Sequence, residues 1–390
     1  MSIGRRDFCW GALSGTAIAG CHRRGTTLSD VDPDIGKRSH TETIAVAVPI
    51  PAARQQELHQ RLEAHVLDEA SPGVHFARLL PIPNLESEPV LVISSVYDGS
   101  VERLVDLLHV NAPRVDPVFS LAPDYPAAGA RDPEALRAWL SSHALETLML
   151  YSAFSRASES AIREAIQLRT EFLRFVQSVQ NQPEHAEVAY TAFLEANRAR
   201  IDTHREGAVD ELSPTVLTAP EAQNPFTMVF DLRPEAVARF ERTLRDGEWT
   251  LEHLHIHPLS KIPTVHYARF ARLTTTRIVF ESVYDGEWDQ YLTDFSVNIP
   301  EQLDLIWGGA VGYPKGGAKD APALAAWLDS KRIPRDYFFS ANGDTTVKAV
   351  LASLKLGAKL VRFSEDAPSE ASRLVTHVER FVHAHQELLG

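Results

Sequence analysis

The residue types best suited to acid–base chemistry occur twice in this sequence. His75 precedes Arg78 in Val-His-Phe-Ala-Arg, and His266 precedes Arg269 in Val-His-Tyr-Ala-Arg. An imidazole titrates near neutral pH, so a histidine facing an interior cavity can move a proton or bind a metal ion. The alternative is that each histidine is a hydrogen-bonded core residue present in both copies.

A carboxylate follows each histidine in the same order. The motif Ser-Val-Tyr-Asp-Gly contains Asp98 in the first copy and Asp285 in the second. A carboxylate beside an imidazole can orient it, which makes His75, His266, Asp98 and Asp285 the candidate catalytic residues. Alternatively, each aspartate caps the helix that follows it and the glycine turns the chain.

A third group of candidate ligands occurs only in the second copy. His253, His255 and His257 alternate with apolar residues, so an extended backbone would put all three rings on one face. Imidazoles in this arrangement can bind a transition metal, and the alternative is a polar strand or loop face. No Gly-x-Ser-x-Gly or His-Glu-x-x-His motif occurs, so nothing in the chain indicates a hydrolase or a metalloprotease.

The repeated motifs belong to a duplication that covers most of the chain. The segment from Tyr125 to Ala130 returns as Tyr313 to Ala318, and the offset between matching motifs stays between 187 and 191 residues. Such a constant offset indicates one duplicated domain. The glycine-rich stretch 307–317 overlaps the second of these motifs and lacks the order of a phosphate-binding loop, so we interpret it as a structural turn.

The elements of each copy predict a ferredoxin-like unit with the order β-α-β-β-α-β and an extra short helix before the last strand. In the first copy, Thr43 to Ile50 alternates apolar residues as a strand does, and Asp132-Pro133 is typical of a helix start. We therefore expect an α+β protein in which two tandem ferredoxin-like domains form an intramolecular α/β-barrel-like pair with added helices. The predicted segments are a leader (1–21), a tether (22–42), repeat 1 (43–157), a helical connector (158–225), repeat 2 (226–365) and a C-terminal helix (366–390).

The N-terminus resembles a twin-arginine export signal joined to a bacterial lipobox. Arg5 and Arg6 precede a short apolar run, which ends in Ile18-Ala19-Gly20-Cys21. The run is too short to span a bilayer. The resemblance implies export, lipidation of Cys21 and location in the cell envelope, with the lipid as the only contact with the membrane.

The composition limits the partners. The formal net charge of −13 argues against binding to nucleic acid or to an anionic membrane, because both reward lysine and arginine. The only other cysteine, Cys9, would leave with the signal, so we expect no disulfide. A small-molecule ligand or substrate remains the expected partner.

The duplication and the order of elements resemble the dimeric α/β-barrel superfamily, which includes dye-decolourising peroxidases, chlorite dismutases and small monooxygenases. Asp98-Gly99 and Asp285-Gly286 are similar to the end of the peroxidases' Gly-x-x-Asp-Gly motif, with Ser95 and Ser282 in place of its first glycine. The resemblance implies a haem site between the repeats, held by His266 and Arg269. The second copy is favoured because it also has the extra histidines and glycines.

Two functions remain open from the sequence. The first is an exported, peroxidase-like oxidoreductase that depends on haem and has its site between the two repeats. The second is a non-catalytic module of the cell envelope that binds a small ligand or a partner protein, since no complete catalytic constellation is present.

We predict that the mature protein begins at an acylated Cys21, because the lipobox cysteine becomes the new N-terminus in such signals. Mass spectrometry of protein purified from an exporting host should give this species. Recovery of an intact, unmodified chain that begins at Met1 would contradict the prediction.

Overall fold

The computed structural model describes residues 41–63, 71–85, 88–204, 223–246, 258–334, 337–368 and 370–389. Within these residues the chain is an α+β protein with two four-stranded antiparallel sheets, consistent with two ferredoxin-like units. Cys21 and the export motif lie outside the described residues, as do His253, His255 and His257. Among the described helices, none is long and apolar enough to cross a membrane.

The elements of the first half match the predicted order, with one helix more than expected. That helix, α3, contains Pro113 and Pro117, which hide its helical pattern in the sequence. The bounds are β1 Thr41–Pro49, α1 Gln55–Leu62, β2 Val74–Leu85, β3 Glu88–Asp98, α2 Val101–Val110, α3 Ala112–Phe119, α4 Pro133–Ser142, β4 Glu146–Ser152, α5 Glu159–Asn181 and α6 Ala186–Thr203.

The second half repeats this order and again contains an unpredicted short helix, α9, which begins at Pro300. The first strands β1 and β5 have the same length and the same pattern of buried and exposed residues. The bounds are β5 Gln223–Asp231, α7 Val237–Asp246, β6 Val265–Arg272, β7 Arg277–Asp285, α8 Trp288–Asn298, α9 Pro300–Trp307, α10 Ala321–Lys331, β8 Tyr337–Ser340, α11 Val347–Glu365, α12 Ala371–Ala384 and α13 Gln386–Leu389.

The fourth strands are exchanged between the halves. The sheets have the orders β1-β3-β2-β8 and β4-β6-β7-β5, so β8 completes the first sheet and β4 completes the second. The backbone just before β4 still touches β1, through a bridge between Ala144 and Val46. A matching bridge joins Arg332, before β8, to Met228 of β5. Each fourth strand therefore ties one sheet to the other.

The two sheets face each other, and their facing side chains fill the space between them. One apolar layer contains Phe76 and Val96 from the first sheet with Tyr267 and Val283 from the second. At the opposite end, a second layer joins Leu80, Ile82 and Val92 to Val279. We call this space the intersheet layer.

Helices cover the outer face of each sheet and form a separate bundle. In the first half, α2, α3 and α4 pack on the first sheet. In the second half, α8, α9 and α10 pack on the second sheet. The long helices α5 and α11 leave the fourth strands and pack against each other, with α6, α12 and α13 around them. The segment predicted as a connector thus shares one apolar core with the C-terminal helices.

The repeated Tyr-Pro-x-x-Gly-Ala segment is a turn, as the sequence predicted, and it is built around a half-buried aspartate. In the second half, Asp304 Oδ1 accepts from the Tyr313 hydroxyl at 2.7 Å and from the Ala318 amide at 2.8 Å. Gly317 has φ +70°, and a Cβ there would lie 2.7 Å from the Asp304 carboxylate. Burial, together with this hydrogen bond, raises the pKa of Tyr313, so its hydroxyl stays a donor at neutral pH.

We predict that Gly317→Ala lowers the free energy of unfolding by about 1–3 kcal/mol, since alanine is strained at this φ and crowds Asp304. Chemical denaturation would measure the change. The matched control is Gly343→Ala, because a Cβ at Gly343 meets nothing closer than 3.8 Å. Equal stability of the two variants would contradict the explanation.

Candidate functional site

His75 lies in a β-bulge and its side chain binds Asp98, at the end of the next strand. The pairing of β2 with β3 shifts by one residue between Val74 and Phe76, which leaves His75 as the extra residue. Its Nε2 atom lies 2.8 Å from Asp98 Oδ1, and both side chains are buried. The bulge therefore interrupts the strand's period of two at His75.

His266 and Asp285 repeat this geometry in the second half. The pairing of β6 with β7 shifts between Val265 and Tyr267, and His266 Nε2 lies 2.7 Å from Asp285 Oδ1. The sequence therefore identified two histidine–aspartate pairs correctly as neighbours. Each pair lies where the third strand ends.

Each aspartate also caps a helix that is distant in the chain. Asp98 Oδ2 accepts from the Glu159 amide at 2.6 Å, and Asp285 Oδ2 accepts from the Val347 amide at 2.8 Å. These amides are the first of α5 and α11, where the helix dipole favours a negative charge. The alternative that each aspartate caps a helix is therefore correct, but the capped helices are α5 and α11 and not α2 and α8, which directly follow the aspartates.

The second pair leaves one buried nitrogen without a partner. Because Nε2 is paired with Asp285, Nδ1 is the other polar atom of the His266 ring. Among the described residues, this Nδ1 atom is buried and makes no hydrogen bond. The rings of Phe76 and Phe154 lie edge-on to the imidazole, with centroids 6.0 and 5.8 Å away. The catalytic role of both pairs stays a prediction.

Two buried arginines cross from one sheet to the other. Arg78 passes over the Phe338 ring of β8 and donates through Nη1 to the Phe226 carbonyl and the Thr227 hydroxyl of β5, each at 2.8 Å. In return, Arg269 of the second sheet donates to the Ile44 carbonyl at 2.7 Å and to the Thr43 hydroxyl at 2.9 Å. The arginines thus supply hydrogen-bond donors to the edge strands β1 and β5.

A glutamate makes this polar layer asymmetric. Glu281 forms an ion pair with Arg269 and accepts from the Ser94 hydroxyl at 2.7 Å, and its side chain is fully buried. Ser94 occupies the equivalent position of the first half, where it cannot supply a charge. Burial lowers the pKa of Arg269 from its usual value. The sequence showed this serine–glutamate exchange but gave no sign that the two residues bind each other.

The first half contains a cavity between its sheet and its helices. The cavity has a volume of about 40 Å³ and lies under α2 and α3. Its walls are mainly apolar side chains, which include Ile44, Leu79, Ile93, Leu104, Leu108 and Phe119.

Three of the polar residues that line the cavity, Ser94, Ser95 and Arg78, direct polar groups to partners outside it. The Ser95 hydroxyl donates to the Phe76 carbonyl, the Ser94 hydroxyl donates to Glu281, and the Arg78 guanidinium donates to β5. A molecule in the cavity therefore meets apolar surface. The sequence favoured a site in the second half and missed this one; the signal was the smaller side chains of the first copy.

Haem does not fit between the sheets. The apolar layers around Phe76 and Leu80 fill the intersheet layer on both sides of the arginines. Both histidine Nε2 atoms bind aspartates, and the terminal nitrogens of Arg269 bind Glu281 and β1. A porphyrin would have to displace all of these side chains. Within the described residues, no group of three or more histidine, cysteine, aspartate or glutamate side chains is arranged to hold a metal ion.

We predict that Asp285→Ala lowers the free energy of unfolding by about 3–5 kcal/mol, because His266 Nε2 and the Val347 amide both lose a buried acceptor. Asp285→Asn should cost less, since the amide oxygen still accepts one hydrogen bond. Urea denaturation would measure both changes.

The matched control for this prediction is Asp124→Ala. Asp124 also contacts a histidine, His143, at 3.2 Å and accepts a hydrogen bond from Trp139 Nε1 at 3.3 Å, but its side chain is 54% exposed. An exposed pair contributes less than about 1 kcal/mol. Similar losses from Asp285→Ala and Asp124→Ala would contradict a stabilising role for the buried pair.

Comparisons with known proteins leave the identity open. No family model matches the chain, and no curated protein matches it. Among solved structures, the chain is similar to a proposed monooxygenase from Fusobacterium nucleatum subsp. nucleatum ATCC 25586, with 8% identity, coverage of 70% of this chain and 89% of that chain, and a TM-score of 0.31. It is also similar to an anthrone oxidase-like protein, with 10% identity, coverage of 78% and 95%, and a TM-score of 0.25. At these scores the likeness carries no conclusion about activity.

Proposed function

We propose that the chain is a binding module that holds a small apolar molecule in the cavity of its first half. The observation that carries this proposal is the cavity itself, which lies in an otherwise well-packed domain. Protein interiors are close-packed, so a void of this kind costs stability unless something fills it.

The chemistry of the walls selects the class of ligand. Because the hydroxyls of Ser94 and Ser95 and the terminal nitrogens of Arg78 already have hydrogen-bond partners, a polar molecule would lose its hydrogen bonds to water on entry. Apolar cavities stay dry and accept benzene or xenon when they are large enough. A volume of about 40 Å³ restricts the ligand to a few heavy atoms, such as a dissolved gas or the end of an alkyl chain.

A second candidate function is acid–base catalysis in an oxidoreductase. The buried Nδ1 atom of His266, which makes no hydrogen bond among the described residues, favours it. Asp285 binds Nε2 and thereby orients the imidazole, so in this proposal Nδ1 is the atom that accepts a proton from substrate. A substrate could reach this atom only if Phe76 or Phe154 moved, and for this reason we rank binding first.

The architecture and the location of the protein belong to the same proposal. We propose that the halves arose by tandem duplication of a ferredoxin-like unit and that they pair as an α/β barrel. The matching bridges at β1 and β5 and the reciprocal arginines support this. We also propose that the protein is exported and anchored through a lipid on Cys21, which rests on the sequence motif alone.

We predict that xenon binds under α2. In protein labelled at leucine methyl groups, xenon pressure should shift the signals of Leu104 and Leu108, which line the cavity, because a polarisable atom in contact changes their shielding. Leu360 of α11, which lies in the helical bundle, is the internal control and should not shift. Equal shifts at all three leucines, or none, would sink the proposal.

A further inference from the structure

The space under the helices of the second half is filled by that half's own aromatic rings. Counting from Asp98 and Asp285 matches β3 to β7 and α2 to α8. At this register, Ile93 corresponds to Phe280, and Leu104 corresponds to Tyr291. Three further pairs come from the matching strands β1 and β5, the positions of His75 and His266 in β2 and β6, and the matching helices α3 and α9. The second-half side chain is the larger one at each of six cavity positions: Ile44/Phe226, Leu79/Phe270, Ile93/Phe280, Leu104/Tyr291, Leu108/Phe295 and Phe119/Trp307.

These rings contact one another where the first half has its cavity. The centroids of Phe270 and Phe280 are 4.7 Å apart, and those of Tyr291 and Phe295 are 4.6 Å apart. Trp307 lies edge-on to Phe280 at 5.7 Å. Such distances are those of aromatic pairs in direct contact, so the rings occupy the volume that a ligand would take.

We infer that, of the two equivalent spaces between sheet and helices in the described part of the chain, only the one in the first half binds an apolar molecule, and that the side chains at these six pairs decide which half binds. For the first half, the inference rests on the proposed function. For the second half, it rests on the contacts between the aromatic rings. Leu104, Leu108 and Ile93 are then the residues that determine the specificity of the site.

The first arm of the test fills the cavity by giving the first half the residues of the second. Leu104→Tyr with Leu108→Phe should abolish xenon binding under α2, seen as loss of the xenon site in crystals of the full chain under xenon pressure. The matched control is Val105→Leu, which likewise replaces a first-half residue by its second-half counterpart, here Leu292. Val105 is buried in the same helix but does not line the cavity. The control should keep the site.

The second arm opens the second half. Phe280→Ile, Tyr291→Leu and Phe295→Leu together should create a xenon site between the second sheet and α8, while Leu292→Val should not. If the triple variant does not fold, as judged by circular dichroism, Tyr291→Leu and Phe295→Leu are tested singly, and each should give a weaker site at the same place.

The two arms separate the possible failures. Absence of xenon from the first half of the parent protein would overturn the proposed function but not the inference about the second half. A folded opened variant without xenon at α8, or a filled variant that keeps its xenon, would overturn the inference. A xenon site in the second half of the unmodified protein would overturn it as well.

Discussion

The fold depends on two buried arginines, each of which satisfies the edge strand of the sheet opposite its own. Arg78 reaches β5 and Arg269 reaches β1, so neither sheet completes its hydrogen bonding without the other. A guanidinium can do this because its donors form a planar fork on a long side chain. Removing such a charge from water is costly, and the cost is offset only when several acceptors surround it. The carbonyl, hydroxyl and carboxylate acceptors around Arg269 meet that requirement.

The histidine–aspartate pairs extend the same constraint to the helical bundle. Each pair lies at the end of a third strand and accepts the first amide of a long helix, so Asp98 fixes α5 and Asp285 fixes α11. Those helices pack on each other away from the sheets. The histidine–aspartate pair of each half thus joins a sheet to the helical bundle. These residues look catalytic in the sequence, but in the structure they are buried and their hydrogen bonds hold the strands and the long helices together.

The two halves differ at equivalent positions, and these differences separate their environments. Glu281, at the position of Ser94, places a negative charge beside Arg269 in the second half, and the Ser94 hydroxyl binds that carboxylate from across the intersheet layer. On the outer faces, the first half has aliphatic side chains such as Leu104 where the second half has rings such as Tyr291. Among the described residues, the first half encloses a cavity on this face, and in the second half aromatic rings contact one another there.

The sequence alone determined the repeated order of elements, the strands that carry His75 and His266, and the turn around Gly317, because alternation, helix starts and glycine positions are local signals. It did not reveal α3, since prolines obscure the helical pattern there. The exchange of β4 and β8, the partners of Arg78 and the half that keeps a cavity were decided by tertiary structure. Each depends on which side chains meet across a long sequence separation, and a local pattern does not contain that information.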